Sequence, residues 1–87
     1  MKLLLCKFCQ DVVKPSLREI RFCECKQCSI KADGIQNVNY TGEYAIIIGF
    51  NNSSLRNAVI NQPEKGQGKE FISFVLPKEC LSAIKKD

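Results

Sequence analysis

The sequence predicts a small α+β domain, in which a small N-terminal cysteine-bearing ribbon packs on a short β-sheet with one short helix. Three observations carry this. Two cysteine clusters stand in the first third, "CKFC" (Cys6, Cys9) and "FCECKQC" (Cys23, Cys25, Cys28). Apolar runs of strand length dominate most of the rest. Only "NNSSLRNAVINQ" shifts to helical spacing.

Element by element, "KLLLC" (Lys2–Cys6) forms a strand entering the "CKFC" turn. "QDVVK" leaves it as a second strand, broken by Pro15 and Ser16. Residues 18–23, "REIRFC", alternate polar and apolar and predict a half-buried strand. The result is two cysteine turns, each at a hairpin tip, facing one another. Asp33-Gly34 and Thr41-Gly42 mark turns, and Val38 and Tyr40 alternate with Asn37 and Asn39. Residues 44–50, "YAIIIGF", are apolar enough for a strand buried on both faces. A helix follows over residues 53–61, ended by Gln62-Pro63. "EKGQGK" is a polar loop, and residues 70–77 form a second buried strand. "KECLSAIKK" adds a last helical turn or a tail. The ribbon spans 1–33 and the β-rich body 34–87, with one shared core.

The chain has 87 residues, six of them cysteine and none histidine. A chain this short buries only about 60–65% of its unfolded surface, so a staple is expected. At 45% hydrophobic and 25% charged it is not a disordered composition. The net charge is +4. The ribbon carries seven Lys/Arg against four Asp/Glu, and the body six against five. No apolar run is long enough for a membrane span or a secretory leader, so a reducing cytoplasm is expected. Clustered cysteines there favour a metal over disulfides. Paired C-x-x-C thiolates point to zinc, because two intervening residues let both sulfurs reach one ion. Spacing alone favours Cys6, Cys9, Cys25 and Cys28, with Cys23 spare.

Several residues together carry a resemblance. They are Cys6, Cys9 and Asp11, then Cys23 and Cys25. In the body they are Asn37, Tyr40, Gly42, Gly49, Asn52, Ser54, Leu55, Gln62 and Pro63, followed by "FISFVLPKEC". The chain resembles a family of small phage-encoded proteins with a C-x-x-C…C-x-C zinc-ribbon-like motif and a G-I-x-N-x-S-L body motif. That resemblance implies Cys6, Cys9, Cys23 and Cys25 as the ligands of a structural Zn²⁺. Cys28 stands where the family has a small polar residue, and Lys26 where it commonly has glycine. It also implies a non-enzymatic accessory protein that blocks or sequesters a host component, with an anti-defence role among the outcomes, in the host-cell cytoplasm.

The residues themselves also argue against an enzyme. Four thiolates close a zinc site, whereas a catalytic zinc keeps a water position. There is no imidazole base, and the carboxylates are scattered. Cys80 is expected to be a small buried hydrophobe after a strand. "GQGK" lacks the phosphate-loop spacing.

Two further surfaces are suggested. Lys7, Lys14, Arg18, Arg21, Lys26 and Lys31, with Phe8 and Phe22 among them, suit a nucleic acid. The plainer alternative, preferred from sequence, packs both rings beside the metal. Asn51, Asn52, Ser53, Ser54 and Arg56 at a helix start, with Lys65 and Lys69 folding back, suit a phosphate-bearing ligand such as a nucleotide. The plainer alternative there, also preferred, is a capped helix and a solvated loop. A host protein remains the other candidate partner. An unpaired edge of the strand pair predicts a homodimer.

Overall fold

The computed structural model describes residues 1–87. It is α+β, with two four-stranded sheets and one helix. In chain order the elements are β1 (Lys2–Cys6), β2 (Val12–Val13), β3 (Arg21–Phe22), β4 (Ser29–Ala32), β5 (Val38–Thr41), β6 (Ala45–Phe50), α1 (Asn52–Ile60), β7 (Ser73–Val75) and β8 (Ala83–Lys85). The first sheet has the order β2-β1-β6-β7 and is antiparallel throughout. The second has the order β3-β4-β5-β8, with β8 parallel to β5.

The two sheets meet through one apolar cluster. Leu4, Val13 and Ile47 enter it from the first sheet, and Ile30, Val38, Tyr40 and Ala83 from the second. Cys6, Cys23 and Cys28 complete it, so the cysteine turns are part of the core. Neither sheet is confined to one side of residue 33, since β1 pairs with β6 and β4 with β5.

The cysteine hairpins form as their turn chemistry demands. β1 returns through residues 7–11 to β2, with Leu4 opposite Val13. β3 returns through the second cysteine turn to β4, with Phe22 opposite Ser29. Helix α1 begins one residue before the expected residue 53, because the Asn51 carboxamide accepts the Ser54 amide at 2.9 Å and so caps it.

Four expectations are corrected. The strand at residues 18–23 shortens to Arg21–Phe22, and both residues are exposed. β6 is buried on one face only, at Ile47 and Gly49, while Ile46, Ile48 and Phe50 stay partly open. β7 is exposed at all three residues, because none of its side chains packs on the core cluster. The C-terminal segment is a strand, not a helical turn: Ala83 sits opposite Val38 and is small enough to be buried there. Local propensity cannot reveal β8, since its partner lies some 45 residues earlier. β4 was hidden by its position at the expected boundary between ribbon and body.

Candidate metal centre

β1 delivers Cys6 into a turn closed by the Gln10 amide on the Cys6 carbonyl, 2.8 Å. The Cys6 amide in turn donates to the Asp11 carbonyl, 3.0 Å, and the Lys7 amide to the Tyr44 carbonyl, 2.9 Å. The second turn is closed by the Cys23 amide on the Cys28 carbonyl and the Lys26 amide on the Cys23 carbonyl, both 3.0 Å. Lys26 takes φ 67°, the left-handed backbone that glycine favours. Asp11 ties the turns together, its carboxylate accepting the Glu24 amide at 3.0 Å.

This brings four sulfurs, of Cys6, Cys9, Cys23 and Cys25, within 4.8 Å of one another. Cys6 and Cys25 Sγ are 3.7 Å apart, and Cys23 and Cys25 Sγ 3.4 Å. A tetrahedron of thiolates at about 2.3 Å from one ion has edges of about 3.8 Å, so the set fits a metal. All six cysteines are free thiols. Cys28 is fully buried, its Sγ 3.7 Å from that of Cys6. Its amide donates to Cys23 Sγ at 3.4 Å, so it serves the cluster through its backbone.

The electrostatics of the cluster suit a cation. The Cys9 amide holds the Cys6 thiol below its ordinary range, and the Cys25 amide does the same for Cys9. Burial raises Cys23, but the Cys28 amide and the Cys25 thiol outweigh it and leave it lowered. The Gln27 amide pulls Cys25 down, yet burial and the Cys23, Cys9 and Cys6 sulfurs together push it up to about 12. Burial and the Cys6 sulfur push Cys28 to about 12 as well. Crowded sulfurs thus cannot all ionise on their own, and a bound dication removes that conflict.

The wall behind this site is Gly42, which the sequence marked only as a turn. A side chain there would meet the Gln27 carbonyl at 2.6 Å and Cys28 Sγ at 2.7 Å. Cys80 lies apart, half-buried against the core. Its Sγ is 3.3 Å from Ser82 Oγ, and that hydroxyl holds its thiol below the usual range.

The residues expected to bind an anion separate into two places. Asn51 caps the helix, Ser54 Oγ accepts the Ile72 amide at 2.7 Å, and Asn52 accepts from the N-terminal ammonium at 3.4 Å. Ser53 and Arg56 are exposed near that end. Lys65 and Lys69 instead line a cavity of about 500 Å³ along the side of α1, with Leu55, Ala58, Val59 and Phe71. On the ribbon, Phe8 and Phe22 are 61% and 51% exposed rather than packed beside the cysteines. The Lys26 ammonium stands 5.9 Å from the Phe22 ring centre. No helix is long and apolar enough to cross a membrane. Compared with known families, curated proteins and solved structures, the chain matches none.

Proposed function

We propose a non-enzymatic accessory binding protein whose fold is held by one structural zinc and which acts by sequestering a phosphate-bearing host ligand. Zinc is the metal of this reading, because four thiolates gathered within 4.8 Å of one another suit a borderline-soft ion. The observation that carries the ligand reading is the cavity beside α1. Its lining holds two cations, Lys65 and Lys69, and no carboxylate. Its size lies within the range of small-ligand pockets. Phe71 and the aliphatic wall would take a base or sugar face, and the lysines its phosphates. The resemblance to phage accessory proteins supports a host target in the cytoplasm.

Two measurements test this reading. Elemental analysis should find one zinc per chain, kept by Cys28→Ser and lost or weakened in Cys23→Ser. The reverse pattern would reassign the ligands. Calorimetric titration of mono-, di- and cyclic nucleotides should give binding that Lys65→Ala or Lys69→Ala weakens about tenfold or more, one charge-assisted bond each. Absence of heat with every nucleotide rejects the cavity as a nucleotide site.

A second reading, a nucleic-acid-binding ribbon, is favoured by the exposed Phe22 beside Lys26, Lys14 and Arg21. It requires a salt-dependent shift of labelled single strands that Phe22→Ala reduces.

A further inference from the structure

Five sulfurs meet at the cysteine turns, and the four-sulfur set leaves out Cys28. The two edges of that set differ. Cys9 and Cys25 are half-buried and form its outer edge. Cys6 is fully buried and Cys23 only 1% exposed, and they form its inner edge. Cys28 stands against the inner edge. Its thiol donates to Cys6 Sγ across 3.7 Å. Cys23 Sγ is also within hydrogen-bonding reach of that thiol, and it accepts the Cys28 amide at 3.4 Å.

Gly42 fixes this placement. A Cβ there would stand 2.7 Å from Cys28 Sγ, so only glycine leaves the thiol its room. Cys6, Cys23 and Cys28 thus make a buried three-sulfur face that shares an edge with the four-sulfur set.

We propose that this face is a second metal site, for one soft monovalent ion of the Cu(I) class bound beside the zinc. The proposal rests on the zinc reading of Cys6, Cys9, Cys23 and Cys25. All three side-chain donors are sulfur, and thiolates select soft ions. The Cys6–Cys28 spacing of 3.7 Å is close to the ~3.8 Å edge of thiolates that share one ion, so the sulfurs need not move apart. Charge selects a monovalent ion. Cu⁺ takes the place of the Cys28 S–H proton, which leaves as H⁺, and no atom changes oxidation state. The cluster then carries the same net charge with copper as without it. A second zinc would want a fourth ligand, which a three-sulfur face does not supply. Cys25, half-buried with its Sγ 3.7 Å from Cys6 Sγ, gives the ion a path inward.

The test is anaerobic titration of the zinc-loaded full chain with Cu(I), followed by gel filtration and elemental analysis. Wild type should keep one zinc and take up one copper per chain. X-ray absorption at the copper edge, which needs no variant, should show three sulfur neighbours. Cys28→Ser should keep its zinc but bind copper at least about a hundredfold more weakly, a larger loss than an outer-shell partner usually causes. Cys80→Ser removes the free thiol outside the cluster and should bind copper as wild type does. Copper that binds only by expelling zinc overturns the proposal, as does a two-sulfur copper spectrum or full copper affinity in Cys28→Ser. Loss of copper binding in Cys80→Ser would move the site to Cys80 and also overturn it. A chain that takes up no zinc fails the zinc reading and this proposal with it. A chain that holds zinc and refuses copper fails this proposal alone.

Discussion

Gly42→Ala probes the wall behind the cysteine cluster. Gly42 has φ 114°, so an alanine there is strained by roughly 1–2 kcal/mol before any contact is counted. Its Cβ would also stand 2.6 Å from the Gln27 carbonyl and 2.9 Å from Cys28 Cα. Both are backbone atoms that cannot swing aside, so overpacking adds about 1–3 kcal/mol. The sum, ~2–5 kcal/mol, is a large part of the 4–13 kcal/mol expected for a chain of this length. Gly34→Ala is the control. Its φ is 93°, but nothing lies within 4 Å of the added carbon. Urea unfolding at fixed free zinc should therefore show Gly42→Ala about 1–3 kcal/mol worse than Gly34→Ala. Zinc affinity should fall only in Gly42→Ala, because moving Cys28 disturbs its amide bond to Cys23 Sγ. Equal losses in the two variants, with equal zinc affinity, would refute this account of the wall.

Three other outcomes are expected. Lys26→Gly should stabilise the protein by roughly 1 kcal/mol, because the lysine holds a left-handed φ of 67°; a lower melting temperature would count against this. Asp11→Ala should cost about 1.5–3 kcal/mol and loosen zinc, since a carboxylate bond to the Glu24 amide ties the two turns; unchanged zinc exchange would assign the tie elsewhere. The zinc-free, fully reduced protein should be most stable near pH 9. Cys6, Cys9 and Cys23, lowered in the fold, contribute above the ordinary value of 9.0 and lose that contribution as pH falls. Cys25 and Cys28, raised to about 12, contribute below 9.0 and lose it as pH rises toward 12. Melting followed from pH 7 to 11 that changes in one direction only would contradict this balance.

What the sequence determined was local. C-x-x-C before "VV" and a cysteine turn after "RF" are enough for two hairpins, because each bond that closes them spans six residues or fewer. Asn51 ahead of "NSSLRNAVI" is enough for a capped helix, as the cap reaches only to Ser54. An apolar run, by contrast, reports that a strand is greasy and not what covers it. β6 was therefore legible as a strand while its open face was not. Spacing alone ranked Cys28 above Cys23, whereas the four sulfurs brought together are those of Cys6, Cys9, Cys23 and Cys25. The backbone path through Lys26 sets Cys23 Sγ with the other three sulfurs and turns Cys28 toward Gly42. The anion site could not be drawn from residue types, because Lys65 and Lys69 return along the side of α1 rather than to its first turn. Only tertiary structure decided these matters. Each depends on where segments distant in sequence come to rest against one another, and short-range periodicity carries no record of that.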